Sequence, residues 1–218
     1  KPFQFQRPYG TYVMENVLFK ISYPAEFHAQ TAVEAAVALH PEVLPRLQEV
    51  DKVVLTTHES AIRIISKTGA LNNPADRDHC LQYMVAVGLL KGDLVAADYE
   101  DSVASDSRLD RIRESMVVEE DVRFSEEYHQ PEKRSIANAV QVFFRDGTAT
   151  EKVTVEYPLG HRRRRKEGIP LLEDKFRRNL RARFPAPHAN EIETLCMDQD
   201  ALESTPVDEF MGLLVVPS

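Results

Sequence analysis

Lys20, His28 and the segment between them carry the residues best suited to chemistry. Lys20 closes the apolar run Val17-Leu-Phe-Lys, Pro24 breaks the chain, and His28 opens a stretch rich in small residues. An ammonium, an imidazole and the unpaired backbone N–H groups of a helix start could converge on one anion, a carboxylate or a phosphate. The same residues also read as a surface lysine beside a helix cap. A second pair, His79 and Tyr83, stands four apart in a stretch with helical spacing. On one helix they would share a face and present two proton donors, or form the polar edge of a buried helix. Cys80 beside His79 points away from it on a helix, so the two do not make a metal site. The run His161-Arg-Arg-Arg-Arg-Lys166 is the strongly basic one. It reads as a polyanion-binding or address segment, or as arginines forked onto carboxylates of a ligand or of the chain itself. The chain is acidic overall, which favours the carboxylates.

These residues need elements to hold them. Alternation from Tyr12 to Ile21 predicts a strand ended by Pro24. Phe27 to Leu39 predicts a closely packed alanine-rich helix, ended by His40-Pro41. Val50 to Thr57 predicts a buried strand and Glu59 to Lys67 a helical turn. Asp76 to Leu90 predicts one helix capped by Gly92. Asp93 to Ser107 reads as acidic and polar, Leu109 to Arg113 as a short helix and Met116 to Val122 as a strand. Ala137 to Phe144 and Lys152 to Tyr157 predict a hairpin turning at Asp146-Gly147. After Pro158 the pattern turns helical: Leu171 to Phe184, Asn190 to Leu202 and Val207 to Val215. The expected fold is α+β, an antiparallel or mixed sheet with helices packed on it, followed by C-terminal helices.

The chain has 218 residues and a formal net charge of -8, with 43% hydrophobic and 28% charged residues. Those values fit an ordinary globular protein with a sizeable core and argue against general nucleic-acid binding. Its two cysteines, Cys80 and Cys196, cannot build a four-cysteine zinc site or hold an iron–sulfur cluster in the usual way. A reducing compartment is the simpler inference from them. No run is long and apolar enough to span a membrane. The acidic groups around Asp98 and Glu119 lack calcium-loop spacing and read as solvated runs. His58-Glu59 lacks the second histidine of the zinc-peptidase motif, and no glycine-rich phosphate loop or Gly-x-Ser-x-Gly elbow is present. The opening Lys1-Pro-Phe reads as a connection from elsewhere, as expected of a piece of a longer chain.

Three segments together resemble the MmgE/PrpD family. They are Lys20-Ile-Ser-Tyr-Pro-Ala-Glu-Phe-His-Ala-Gln-Thr-Ala-Val-Glu-Ala-Ala, Arg77-Asp-His-Cys-Leu-Gln-Tyr-Met-Val-Ala-Val-Gly-Leu-Leu-Lys-Gly, and Val155-Glu-Tyr-Pro-Leu-Gly-His-Arg-Arg-Arg-Arg running on through Lys175-Phe-Arg-Arg-Asn-Leu. The resemblance covers essentially the whole chain, as about the C-terminal half of a family protein. The third segment resembles the branch that dehydrates 2-methylcitrate to 2-methyl-cis-aconitate in propionate breakdown.

The resemblance implies a small α+β domain over residues 1–158. Helices over residues 159–218 would join an all-helical domain whose remainder lies outside this chain. It implies a cleft between the two parts where a proton is moved beside a carboxylate, with no metal and no cofactor. Lys20 matches the family's cleft lysine and would pair with a substrate carboxylate. Tyr83 matches a cleft tyrosine, with His79 one turn earlier. The common pattern places histidine where Gln30 stands here, so either His28 takes that role or Gln30 contributes a neutral donor. Lys20, His28 and Tyr83 are thus the expected catalytic residues, and Gln30 and His79 the expected substrate contacts. The implied partners are a tricarboxylate substrate, the N-terminal helical half and a second copy in a homodimer, in the cytoplasm or the mitochondrial matrix, with no nucleic acid and no membrane. The same proton chemistry would serve a cis-aconitate decarboxylase or an epimerase. The helical face of Val207, Phe210, Met211 and Leu214 would alternatively suit a non-catalytic interaction module.

Overall fold

A computed structural model describes residues 17–215, which fall into two compact units divided between Arg164 and Arg165. The first unit is built on a four-stranded mixed sheet in the order β2-β1-β3-β4. Strand β1 (Val50–Thr57) is central. It pairs in parallel with β2 (Met116–Glu120) and antiparallel with β3 (Asn138–Phe144), and β3 pairs antiparallel with β4 (Val153–Val155). Alternation places Val53 and Leu55 on one face, both buried, with Val140 and Val142 of β3 in the same core. The structure bears out the α+β expectation and the hairpin at Asp146-Gly147.

Two helices share that core, the first of them packed on β3 and β4. Helix α1 (Gln30–Val43) follows a 3₁₀ turn at Phe27–Ala29, and α4 (Leu81–Lys91) packs against it. Ala32, Val33, Ala35 and Ala36 are buried on α1, and every residue from Leu81 to Leu90 is buried on α4. A Cβ on Gly88 would lie 3.0 Å from the Ala36 Cβ. The small residues that mark α1 in the sequence therefore let two backbones meet closely. Gly92 ends α4 in the left-handed conformation, as its position predicts.

Between these elements lie α2 (Glu59–Ile65), α3 (Pro74–Asp78), α5 (Asp101–Ala104) and α6 (Ser107–Glu114), with α7 (Val122–His129) after β2. The sequence reading needs correction at several points. Val17 to Ile21 form no strand, and the rest of that expected strand lies outside the described residues. Instead the Phe19 N–H donates to the Gly160 carbonyl at 3.1 Å, and a Cβ on Gly160 would fall 1.6 Å from the Phe19 oxygen. Only glycine admits this crossing. Helix α1 runs past Pro41 to Val43, because the proline sits in the last turn and burial of Leu39, Val43 and Leu47 draws the chain onward. The expected helix from Asp76 to Leu90 is broken at His79 and Cys80, whose backbone leaves the helical region. The break lets the buried Arg77 guanidinium donate to the Tyr99 carbonyl (2.5 Å) and pair with Asp101 (2.6 Å). Asp98 is buried rather than solvated, with Lys91 as its ion-pair partner. Helix α7 stands where the sequence pattern shows none.

The second unit is helical: α8 (Arg165–Arg183), α9 (Ala186–Met197), α10 (Gln199–Ser204) and α11 (Val207–Leu213). Its core is small, with Leu180, Ala189 and Ile192 buried and Phe176, Phe184, Cys196 and Leu213 packed against them. Arg177 donates from Nε to Glu193 at 2.7 Å and ties α8 to α9. Val207, Met211 and Val215 are exposed. No described helix is long and apolar enough to cross a membrane.

Candidate active site

The start of α1 is held with unusual firmness. Tyr23 takes a positive φ of 53°, a conformation that costs a bulky side chain energy and persists only where neighbours hold it. Gln30 supplies the hold: its buried amide nitrogen donates to the Tyr23 carbonyl at 2.9 Å and the Ala25 carbonyl at 3.0 Å. Burial, and then the charge of Glu34, push the Tyr23 phenol up to about 12. The carboxylate that this helix start attracts is the chain's own: Glu26 accepts the His28 backbone N–H at 2.8 Å.

The His28 imidazole is engaged at both nitrogens. Nδ1 lies 2.8 and 2.9 Å from the two Glu26 oxygens, and Nε2 lies 3.1 Å from the Tyr128 hydroxyl. Burial raises Glu26, but the hydrogen bonds and charge of His28 outweigh it, so the carboxyl is held below its usual range. The backbone is fixed as well. Asn138 at the start of β3 donates to the His28 carbonyl (2.8 Å) and to the Thr31 hydroxyl (2.7 Å). Thr31 in turn donates to the Ile136 carbonyl at 2.5 Å.

His58 completes the group. It follows the last residue of β1 and caps α2, its Nδ1 accepting the Ala61 N–H at 3.4 Å. Its ring lies 5.2 Å from that of His28 and stacks on Tyr128 at 4.7 Å and 12°. Burial, then the neighbouring His28, push its pKa down to about 4. His58 is therefore neutral at pH 7 and carries its proton on Nε2. That donor is buried and has no partner among the described residues. His58 after β1 and Tyr128 at the end of α7 both hang from the carboxyl ends of the parallel strand pair, where open α/β sheets commonly place ligands.

Lys20 belongs to this neighbourhood. It is exposed, and its ammonium sits 4.9 Å from the centre of the Phe27 ring, one residue from His28. His79 is also exposed, 2.5 Å from Asp78, and lies within electrostatic reach of Glu26. Tyr83 is placed differently. It is buried, donates to the Asp98 carbonyl at 2.6 Å, and is pushed up to about 12 by burial. It lines a cavity of about 340 Å³ with Leu71, Arg77, Asp101 and Arg113, a lining that contains neither Lys20 nor His28. His79 and Tyr83 do not share a helix face, because the break before α4 separates them. Among the described residues, no three His, Cys, Asp or Glu side chains gather as a metal site would need.

Sequence reasoning missed Tyr128, His58 and Glu26 as members of this group. Glu26 was legible as a cap for His28, whereas Tyr128 and His58 lie on remote segments that only the sheet brings in. One arginine of the basic run behaves as its acidic surroundings predict: Arg164 forks onto Glu34 at 2.9 and 2.8 Å and donates to the Tyr157 carbonyl at 2.7 Å.

Comparison with known proteins decides the family. The description "MmgE/PrpD C-terminal domain" matches residues 23–199. This chain belongs to that family. It is 56% identical over 98% of its length to a 2-methylcitrate dehydratase of Escherichia coli strain K12, of which it covers 45%. It is 55% identical over 99% of its length to one from Cupriavidus necator, again covering 45%. It is 52% identical over 99% of its length to a mitochondrial 2-methylcitrate dehydratase of Yarrowia lipolytica, covering 42%. The family member described here thus spans a little under half the length of these relatives.

Proposed function

We propose that this chain is part of a 2-methylcitrate dehydratase, a hydro-lyase that removes water from 2-methylcitrate to give 2-methyl-cis-aconitate in propionate breakdown. The carrying observation is 56% identity across 98% of the chain to a protein of that name. The geometry at the start of α1 agrees with the chemistry. A substrate with three carboxylates cannot be bound without cations and donors to meet it. The Lys20 ammonium pairs with the carboxylate next to the C–H that is broken. Negative charge grows on that carboxylate as the proton leaves, so the ammonium stabilises the transition state more than the ground state. The departing hydroxyl needs a proton, and the group formed by Glu26, His28 and the Tyr128 hydroxyl is suited to supply it. For Tyr83 and Gln30 the reading is positioning, since each spends polar atoms on backbone carbonyls.

The remaining catalytic groups come from the part of the protein outside this chain. Residues 1–158 form the small domain, and the helices of residues 159–218 dock on the helical half, for which the exposed Val207 and Met211 are suited. The protein acts as a homodimer in the cytoplasm, or in the mitochondrial matrix of a eukaryote.

The test is a full-length protein carrying Lys20→Ala, assayed for release of 2-methyl-cis-aconitate. A loss of about 10²-fold or more in kcat/KM is expected; near-normal turnover would sink the site assignment. Offering citrate and cis-aconitate beside 2-methylcitrate separates the dehydratase from a decarboxylase. The isolated 218-residue chain is expected to be inactive, and robust dehydration by it would refute the shared cleft.

A further inference from the structure

We propose that Tyr128, rather than His28, is the group that hands the proton to the departing hydroxyl, with His28 and Glu26 as the relay behind it. The inference deepens the dehydratase reading and rests on it. His28 has no nitrogen left for a substrate: Nδ1 is spanned by both Glu26 oxygens and Nε2 faces the Tyr128 hydroxyl. In the proposed relay His28 enters carrying a proton on each nitrogen, Nδ1–H on the Glu26 carboxylate and Nε2–H donating to the Tyr128 oxygen. That orientation turns the Tyr128 proton away from His28. The hydroxyl makes no second hydrogen bond among the described residues, and the side chain is half-buried, so one donor position stays open for a ligand.

The stack on His58 fixes the plane of the Tyr128 ring, and His58 is neutral, so it does not compete as an acid. The order carboxylate, imidazole, hydroxyl is that of a serine-hydrolase triad, used here to deliver a proton rather than to activate a nucleophile. In the step, the substrate C–O bond breaks with its electron pair going to oxygen. The Tyr128 O–H proton passes to that oxygen and completes the water. The Tyr128 phenolate takes the Nε2 proton of His28, which becomes neutral. The C–H proton goes to a base outside this group, so charge and protons balance. Tyr128 is the catalytic residue, His28 is the proton relay behind it, and Glu26 and His58 are positioning residues.

The experiment uses full-length protein with Tyr128→Phe, which removes the hydroxyl and keeps the ring stacked on His58. It compares 2-methylcitrate with an analogue bearing fluorine in place of the departing hydroxyl. Fluoride leaves without being protonated, so loss of an acid harms only the natural substrate. On 2-methylcitrate, kcat should fall about 10²-fold or more with KM changed less than about threefold. On the fluoro analogue, variant and wild type should agree within about threefold. Glu26→Gln should lower kcat on 2-methylcitrate in the same direction and likewise spare the fluoro analogue. Equal losses on both substrates, or unchanged kcat on 2-methylcitrate, would overturn the assignment. If Lys20→Ala is impaired while Tyr128→Phe is normal, the relay fails and the dehydratase reading stands. If the wild type does not dehydrate 2-methylcitrate, both fall.

Discussion

Replacing Gly160 by alanine should damage the site from a distance. The added Cβ would lie 1.6 Å from the Phe19 carbonyl oxygen, 2.5 Å from its carbon and 2.8 Å from its nitrogen. Ordinary contact begins near 3.4 Å, so the Val17–Ile21 segment must retreat by about 1.8 Å. The opposing atoms are backbone, so no rotamer change relieves the clash. The Phe19 N–H to Gly160 bond at 3.1 Å is lost in the retreat, at a cost of about 0.5–1.5 kcal/mol. Lys20 is the next residue and moves with Phe19. A displacement of about 1 Å in a group that positions substrate can cost about 10²-fold in rate. The assay is kcat/KM of full-length Gly160→Ala, with thermal melting recorded alongside. Gly212→Ala, where a Cβ meets nothing within 4 Å, makes the same chemical change in open space and serves as control. A fall near 10²-fold with a change in stability under about 2 kcal/mol is expected for Gly160→Ala, and none for the control. Unchanged turnover and melting would show that Phe19 does not cross Gly160 at contact distance and that Lys20 is not placed by that crossing.

Two further outcomes follow from the same geometry. Arg164→Lys keeps the charge but loses the fork to Glu34 and the bond to the Tyr157 carbonyl; the pair is largely buried, so urea unfolding should show a loss of about 1–2 kcal/mol, and none if the fork is ornamental. His58 has a folded pKa pushed by burial down to about 4 from the ordinary 6.5, so the unfolded chain binds the extra proton first. Its contribution is full above about pH 6.5, is lost as pH falls toward 4, and levels off below. His58→Asn keeps a capping side chain without the titration. The stability difference between wild type and variant should therefore shrink by about 2 kcal/mol from pH 7 to pH 5. A difference independent of pH would refute the burial of a neutral imidazole.

The sequence made legible what local pattern governs. Strand β1 is found at Val50–Thr57 as its bounded apolar run predicts, and α4 ends at Gly92 because a left-handed cap needs a residue without a Cβ. The break at His79 was not legible, since Asp76 to Leu90 has unbroken helical spacing. It arises from where the Arg77 guanidinium must go, which is a tertiary demand. Helix α7 was hidden because it carries few apolar residues and buries chiefly Phe124. Its concealment hid Tyr128. The site divides along the same line: Lys20, Glu26 and His28 lie within one short segment, and their association is local. Tyr128 stands beside His28 in a structure where β1 and β2, the strands before His58 and α7, are paired. No spacing rule connects positions 28, 58 and 128.

The central place of β1 has a consequence for how the chain is made. Its parallel partner begins at Met116 and its antiparallel partner at Asn138, so both neighbours leave the ribosome long after it. Until then β1 is an apolar strand with two open edges, a template for wrong pairing. The first elements that can bury its apolar face in the shared core are α1, already complete, and then α4, which packs on α1. Order of synthesis and order of packing thus run together: helices first protect the strand, and strands then enclose it. Substitutions that weaken the close approach of Ala36 to Gly88 would accordingly be felt first as lost yield of folded protein, before any change in the activity of the molecules that do fold.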